Sequence, residues 1–352
     1  MSQAIARLGR RANASDYHEN LNIGPPAREV KKHIYYTATH PPMKIVFLDT
    51  ETVADLPEEL DKFSQLGQFT GYRATSPEQV VPRLAGAQVV ITNKVVIGQP
   101  ELDQLPDLKL ICVAATGTNN VDKEAAAARG IPVRNVSGYS TNAVAQLTIT
   151  ALFTLAMDLI HLNEAVYDGT YSKSPSFSYW RQPYYELGGA RYGIIGMGTI
   201  GRRVAELATA YGAKVVYYST SGRNTDQPYP AVSLDELLTT CEVISIHCPL
   251  TDATRNLIGQ AELAKMKASA YLINVARGGI VNEAALVAAL NDGQIAGAAS
   301  DVFTTEPIPT DHPFLNVNER HRLLLTPHMG WASVEARMEL LAGVRGNVGE
   351  GW

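Results

Sequence analysis

Three short stretches in the second half of the chain carry side chains that could act together on a small acid. "INVARGGIVNE", "ASDVFTTEP" and "LLLTPHMGWAS" each include an apolar run typical of a strand, and they contribute Arg277, Asp301 with Glu306, and His328. A guanidinium can hold a carboxylate through two parallel hydrogen bonds, and an imidazole can exchange a proton with a neighbouring oxygen. Taken singly, the arginine could form a surface ion pair, the histidine could be a polar residue without a catalytic role, and "TTEP" could cap a helix. Taken together, they favour chemistry on a 2-oxo acid.

A glycine-rich turn lies upstream of these stretches. "GMGTIG" has the G-x-G-x-x-G spacing, follows the strand "YGII" and opens a helix, which is the setting that a dinucleotide-binding turn requires. In such a turn Gly196 permits a tight bend, Gly198 lets the backbone approach a pyrophosphate, and Gly201 lets the helix pack closely on the strand. The amides of Thr199 and Ile200 would then face the phosphates. A glycine-rich turn without a ligand is the alternative, but the strand–turn–helix setting favours binding.

The next strand, in "KVVYYSTSGRN", lacks the acidic residue that commonly binds the adenine ribose about 20 residues beyond such a turn. Ser219 occupies its place, followed by Thr220, Ser221, Gly222 and Arg223. Without a carboxylate to repel a 2′-phosphate, these hydroxyls and the guanidinium could bind it. The sequence therefore favours NADP, while NAD remains open if Arg223 points into solvent.

The surrounding pattern alternates short β-branched strands with helices, which predicts an α/β protein with parallel sheets. A first series runs through "KIVFLD", "AQVVITN", "LKLICVAAT" and "IPVRNV", with the helix "KEAAAARG" before its last strand. A long apolar helix is predicted from about Asn142 to Tyr167. Six further strands with intervening helices then match a doubly wound dinucleotide-binding fold.

Composition narrows the range of partners. The 352 residues have a formal net charge of −5, which argues against nucleic acid or an anionic membrane as a partner. Three cysteines, Cys112, Cys241 and Cys248, lie in or beside apolar runs and indicate buried thiols in a reducing cytoplasm. Residues 1–42 weakly resemble a transit peptide; a disordered extension before "MKIVFLD" is the interpretation we favour.

From Met43 onward the chain resembles the D-isomer-specific 2-hydroxyacid dehydrogenases. The resemblance is carried by "GIIGMGTIG", "HCPLTDATRNLI", "LINVARGGIVNEAALVAAL", "AASDVFTTEP" and "LLTPHMGWAS". It implies that Arg277 binds substrate, that His328 is the acid/base, and that Glu306 is its partner and favours the imidazolium. It also implies that the backbone of Thr116 and Gly117, in "AATGTNN", binds the substrate carboxylate. The further cofactor contacts that it implies are Pro249, Val275, Ala276, Asp301 on the nicotinamide side, His328 and Gly330; no metal is implied.

The resemblance is strongest to the glycerate dehydrogenase (hydroxypyruvate reductase) branch, through "FSYW", "TGTNNVD" and "GYSTNAVAQ". It implies hydride transfer between a nicotinamide cofactor and a small D-2-hydroxy acid or 2-oxo acid, of the hydroxypyruvate–glycerate or glyoxylate–glycolate type. A non-catalytic, dinucleotide-sensing corepressor on the same fold is the alternative.

The family fold also implies how the chain divides. A smaller, flavodoxin-like substrate (lid) domain would comprise 43–141 plus 330–352, and a Rossmann-type dinucleotide-binding domain would comprise 142–329. Hinges are expected near Thr141 and Pro327. The apolar helix after Asn142 would form the contact of a homodimer through the nucleotide-binding domain.

Overall fold

Two parallel β-sheets organise residues 42–352, the part of the chain that the computed structural model describes. The first sheet has the strand order β2-β1-β3-β4-β5, which is the flavodoxin-like order. Its strands are β1 (Lys44–Phe47), β2 (Gln68–Gly71), β3 (Val89–Thr92), β4 (Leu110–Val113) and β5 (Val133–Asn135). The helices between them are α1 (Pro57–Asp61), α2 (Val80–Leu84), α3 (Gln99–Leu102) and α4 (Lys123–Ala128).

The second sheet has six parallel strands in the order β11-β10-β9-β8-β6-β7. Its strands are β6 (Arg191–Ile195), β7 (Lys214–Tyr218), β8 (Val243–Ile246), β9 (Tyr271–Asn274), β10 (Gly297–Ser300) and β11 (Leu323–Leu325). The helices of this half are α5 (Thr141–Ala156), α6 (Leu159–Tyr167), α7 (Thr199–Ala210), α8 (Leu234–Thr240), α9 (Gln260–Leu263) and α10 (Glu283–Asn291). The predicted α/β class with two domains, one of them Rossmann-type, is confirmed.

One strand of the usual dinucleotide-binding sheet is reduced to a single bridge. Ala231 pairs in parallel with Tyr217 on the outer side of β7, where the third strand of the order 3-2-1-4-5-6 would lie. The chain thus runs outward from β6 to β7 and Ala231, and then crosses back to β8 on the other side of β6. At such a point the crevice beyond the carboxyl ends of the strands is open to a ligand.

The single helix predicted from Asn142 to Tyr167 is wrong, because the chain bends by 57° between α5 and α6. Asp158 lies at the break in the left-handed region, with φ 52° and ψ 38°. Its carboxylate is buried and accepts hydrogen bonds from Nε and Nη2 of Arg181 at 2.8 and 2.6 Å. Because a buried carboxylate must be paired, this long-range contact outweighs the local helical preference.

Apolar residues cover both faces of each sheet. α5 and α7 pack on one face of the second sheet, and the last helix, α11 (Val334–Gly349), packs on the first sheet through Leu340, Leu341 and Val344. Cys112, Cys241 and Cys248 are buried free thiols, as predicted.

Between residues 42 and 352, no helix is by itself long and apolar enough to cross a membrane, and α5 with α6 reaches that length only as a bent pair. The predicted N-terminal extension lies outside the described residues, apart from residue 42.

Candidate active site

The glycine-rich turn joins β6 to α7 with no room for larger side chains at two positions. Gly196 has φ 95°, and a Cβ there would lie 2.8 Å from the amide nitrogen of Cys248. A Cβ on Gly201 would clash with the carbonyl oxygen of Gly196. At Gly198, in contrast, a Cβ would meet no described atom within 4 Å. The turn is therefore packed on its inner side and open on the side where a pyrophosphate would approach.

The first amides of α7 are available to such a phosphate. The first hydrogen bond from the α7 backbone to this turn is donated by the amide of Arg202 to the carbonyl of Gly198, at 2.9 Å. The amides of Thr199, Ile200 and Gly201 come before it and have no intrahelical acceptor, as at any helix start. The residues present thus fit a dinucleotide pyrophosphate.

The turn after β7 closes on itself. Ser219 Oγ donates to the carbonyl oxygen of Arg223 at 2.6 Å, and the amide of Arg223 donates to Ser221 Oγ at 3.3 Å. The side chain of Thr220 faces Cys248, whose thiol pKa is raised to about 11, chiefly by burial. Arg223 is exposed at the end of this turn. The hydroxyl donor of Ser219, which sequence analysis assigned to a phosphate, is therefore already used within the turn.

Arg277 follows β9 and reaches the first sheet. Its Nη1 donates to the carbonyl of Ala276 at 2.7 Å, and a Cβ on Gly117 would lie 2.9 Å from its Nη2. Asn274 braces this turn, because its amide group donates to the carbonyl of Arg277 at 3.0 Å and accepts from the amide of Ala276 at 3.1 Å. Sequence analysis missed Asn274, although a polar residue at the end of a buried strand is a usable signal.

The loop that carries Gly117 is held from β5. Asn135 donates its side-chain amide to the carbonyl of Thr116 at 2.6 Å, and Thr116 Oγ1 donates to the carbonyl of Val136 at 3.3 Å. Tyr139, also missed by sequence analysis, is buried nearby. Burial raises the pKa of its hydroxyl to about 12, even though the charge of Arg277 lowers it. The structure thus brings Thr116, Gly117 and Arg277 together.

His328 and Glu306 form a close pair in the segments that follow β11 and β10, at the same edge of the sheet as Arg277. His328 Nδ1 lies 2.7 Å from Glu306 Oε2, and Glu306 Oε1 accepts from the amide of Phe303 at 3.0 Å. Burial raises the pKa of the Glu306 carboxyl, but the bonds from His328 and Phe303 outweigh it, so that this pKa lies below its ordinary value. His328 itself has a positive φ of 51°, which is uncommon for a residue other than glycine.

Asp301 holds the loop on both sides of His328. One carboxylate oxygen accepts from Thr326 Oγ1 at 2.5 Å and from the amide of Met329 at 2.9 Å. The other oxygen accepts from the amide of Gly330 at 2.9 Å. Sequence analysis placed Asp301 on the nicotinamide side; in the structure, both of its oxygens position the histidine loop.

The remaining cofactor candidates lie at strand ends along the same edge of the second sheet. Pro249 follows β8, and its carbonyl accepts from Thr254 Oγ1 at 2.7 Å. Val275 and Ala276 directly follow β9. Because all six strands are parallel, their carboxyl ends share one edge with the glycine-rich turn. Within residues 42–352, no group of three or more His, Cys, Asp or Glu side chains could hold a metal ion.

Comparison with known proteins identifies the family. Residues 149–330 match the model of the "D-isomer specific 2-hydroxyacid dehydrogenase, NAD binding domain" family. A glycerate dehydrogenase of Methylorubrum extorquens is 43% identical over 300 residues, covering 85% of this chain and 92% of the relative. A hydroxypyruvate reductase of Blautia hydrogenotrophica is 37% identical, with coverage of 85% and 94%.

The architecture matches as well. The crystal structure of the TT0316 protein from Thermus thermophilus superposes with a TM-score of 0.78 at 32% identity, covering 87% of this chain and 96% of that one. Neither named relative is a corepressor, and nothing in these similarities supports the non-catalytic alternative. The chain is an oxidoreductase that belongs to the D-isomer-specific 2-hydroxyacid dehydrogenase family.

Proposed function

We propose that the protein reduces a small 2-oxo acid of the hydroxypyruvate or glyoxylate type to the D-2-hydroxy acid. The observation that carries the proposal is the meeting of two sheets: the Arg277 guanidinium from the second lies against Gly117 of the first, and the His328–Glu306 pair follows the second sheet at the same edge. The similarity to a glycerate dehydrogenase and a hydroxypyruvate reductase supports this choice of substrate.

Each residue takes one part of the reduction. Arg277 and the amides of Thr116 and Gly117 hold the substrate carboxylate, since a guanidinium fork and two N–H groups can saturate its oxygens. His328 gives its proton to the oxygen on C2 as negative charge develops there. Glu306, kept ionised by its two hydrogen bonds, favours the charged imidazolium and fixes the orientation of the ring.

The dinucleotide is assigned to the turn from Gly196 to Gly201, where it would supply the hydride when bound. The open space beside Gly198 and the amides of Thr199 and Ile200 support this assignment. Pro249, Val275, Ala276 and Gly330 would border the cofactor along the sheet edge. Asp301 would act on it indirectly, by holding Gly330 and the His328 loop.

We favour NADP over NAD as the cofactor. No carboxylate stands at Ser219 to repel a 2′-phosphate. Because the Ser219 hydroxyl is bonded within its own turn, the argument now rests on the exposed guanidinium of Arg223. A charge-assisted bond of this kind contributes about 1.5–3 kcal/mol.

We further propose that 43–141 with 330–352 forms a lid domain over a nucleotide-binding domain of 142–329, hinged near Thr141 and Pro327. The packing of α11 on the first sheet and of α5 on the second supports this division. Closure of the lid would exclude water from the carboxylate held by Arg277.

A homodimer through the nucleotide-binding domain is proposed from the apolar surface around α6. A groove of about 1120 Å³ lies between α5 and the segment that follows α6. Exposed hydrophobic side chains cluster along α6 and this segment, namely Leu159, Ile160, Val166, Phe177, Trp180, Tyr184 and Tyr185. Such a patch is typical of an interface.

The buried free thiols support a reducing compartment such as the cytoplasm.

Steady-state turnover tests the proposal. Oxidation of NADPH and of NADH is followed with hydroxypyruvate and with glyoxylate, for the parent, Ser219→Asp and Arg223→Ala. We expect turnover of one or both acids, and a preference for NADPH that both variants reduce. No turnover of either acid would contradict the assigned substrates. A parent that prefers NADH, unchanged by Arg223→Ala, would contradict only the cofactor assignment.

A further inference from the structure

Lys94 lies at the lid edge of the crevice, just beyond the carboxyl end of β3. This strand is parallel to β4, with Thr92 opposite Val113. The side-chain amide of Asn93 donates to the carbonyl of Ala114 at 2.9 Å. Lys94 therefore lies beside the loop that carries Gly117 to Arg277.

The backbone around Lys94 is fixed on two sides. The buried end of β1 is followed by Asp49, whose carboxylate accepts from the amides of Asn93, Lys94 and Val95 at 2.8, 2.6 and 3.1 Å. On the other side, Asn120 donates its side-chain amide to the carbonyl of Val95 at 3.0 Å. A rigid loop thus presents the lysine in one direction, and only its flexible side chain is left to move.

The ammonium group is available to a ligand. Lys94 is exposed, and in the described part of the chain its side chain makes no hydrogen bond or ion pair. It is close enough to the catalytic pair to act on Glu306: after burial and the bonds from His328 and Phe303, the charge of Lys94 also lowers the pKa of that carboxyl. The lysine thus lies beside the loop that contacts Arg277 and within electrostatic range of Glu306.

We propose that Lys94 is a specificity-determining residue, which donates a hydrogen bond to an oxygen substituent on C3 of the substrate. The inference rests on the proposed function. Arg277 and Gly117 are assigned to the C1 carboxylate and His328 to the oxygen on C2, so an oxygen on C3 still needs a donor. An ammonium group has three rotatable donors on a long stem, which suits a substituent at the lid side. The protein therefore selects C3-oxygenated 2-oxo acids over those with a bare methyl group.

Hydroxypyruvate and pyruvate form a matched pair for the test, because they differ only by the C3 hydroxyl. kcat/KM is measured for both acids and for glyoxylate, with the parent, Lys94→Met and Lys109→Met. Lys109 is the control, an exposed lysine at the amino end of β4, on the opposite edge of the same sheet. We expect Lys94→Met to lose about 10–100-fold on hydroxypyruvate, as for a bond to a charged donor. Pyruvate and glyoxylate should change little, and Lys109→Met should match the parent.

Two results would overturn the inference. An unchanged hydroxypyruvate-to-pyruvate ratio in Lys94→Met would show that the ammonium does not contact C3. An equal loss on all three acids, with a shifted pH profile, would show that Lys94 acts on Glu306 and not on the substrate. Absence of turnover by the parent on every acid would instead contradict the proposed function itself.

Discussion

Of the three histidine–glutamate pairs in residues 42–352, one lies at the crevice and another lies inside the protein. His328 Nδ1 is 2.7 Å from Glu306 Oε2, and His312 Nε2 is 3.0 Å from Glu283 Oε2. The side chains of the first pair are 24% and 31% exposed, whereas those of the second are 4% and 14% exposed. The same residue types thus occupy two environments that differ mainly in access to a ligand.

The second nitrogen of each imidazole makes the contrast sharper. His312 uses both, since its Nδ1 accepts from the amide of Phe314 at 3.2 Å while its Nε2 bonds Glu283. The ring of His312 also packs edge-on against the rings of Phe303 and Phe314. His328 makes one bond through Nδ1, and within residues 42–352 its Nε2 has no partner. Of these two pairs, that of His328 is therefore the one that can exchange a proton with a substrate.

The two pairs are joined through one loop. The amide of Phe303 donates to Glu306 at 3.0 Å, and the amide of the next residue, Thr304, donates to Glu283 at 2.7 Å. The internal pair thus anchors the segment that presents Glu306. We infer that the hydrogen bond between His312 and Glu283 positions the segment that carries Glu306.

The largest expected effect is on catalysis at His328. His328→Gln removes the proton donor and leaves the rest of the crevice in place, so kcat should fall by about 10²–10⁴-fold. The thermal midpoint should stay near that of the parent, because the side chain is partly exposed. Turnover kinetics and calorimetry measure the two quantities. Near-parental kcat would remove His328 from the mechanism.

A smaller effect is expected at Glu306. Glu306→Gln keeps a hydrogen-bonding group but removes the anion, so kcat/KM for reduction should fall by about 10–100-fold. His328 gives up a proton during reduction, and the neighbouring anion stabilises the charged ring that donates it. Turnover kinetics with the parent and the variant measure the loss, and a near-parental kcat/KM would mean that Glu306 does not act on His328.

The internal pair should affect stability and not chemistry. His312→Gln leaves the partly buried Glu283 with a poorer partner, and the free energy of unfolding should fall by about 1–3 kcal/mol. Urea unfolding of the parent, His312→Gln, Glu283→Gln and the double variant measures the coupling between the two side chains. The folded fraction of each variant should keep its kcat. A kcat loss as large as that of His328→Gln would erase the contrast between the pairs.

Much of this arrangement could be predicted from the sequence, because strand periodicity and the parallel topology are local signals. Side chains that directly follow a predicted strand, such as Arg277 and His328, must meet at one edge of the sheet. The glycine-rich turn between β6 and α7 could be predicted because the spacing of its glycines follows an apolar strand and precedes a helix. The roles assigned to these residues remain predictions until variants are measured.

What the sequence could not supply depends on contacts between distant residues. The edge strand β2 is the half-exposed segment "QFTG", which has no apolar run to mark it. The break before α6 depends on Arg181, 23 residues beyond Asp158. Sequence periodicity also cannot show that His312 meets Glu283, which is 29 residues away. Each of these features is decided by tertiary pairing of polar groups.

The smallest expected effect is on the pH dependence of stability, which distinguishes the charge of Glu306 from the packing of its side chain. Since its pKa in the folded protein lies below the ordinary value of 4.5, the ionised carboxyl stabilises the fold above about that pH. This contribution is lost as the pH falls through the lowered value. The stability advantage of the parent over Glu306→Gln should therefore shrink between neutral and strongly acidic pH. Glu339→Gln, at an exposed position on α11, is the control and should show no such trend. Urea unfolding at several pH values measures the difference, and an advantage that is constant over the whole range would show that the hydrogen bonds of Glu306 do not depend on its ionisation.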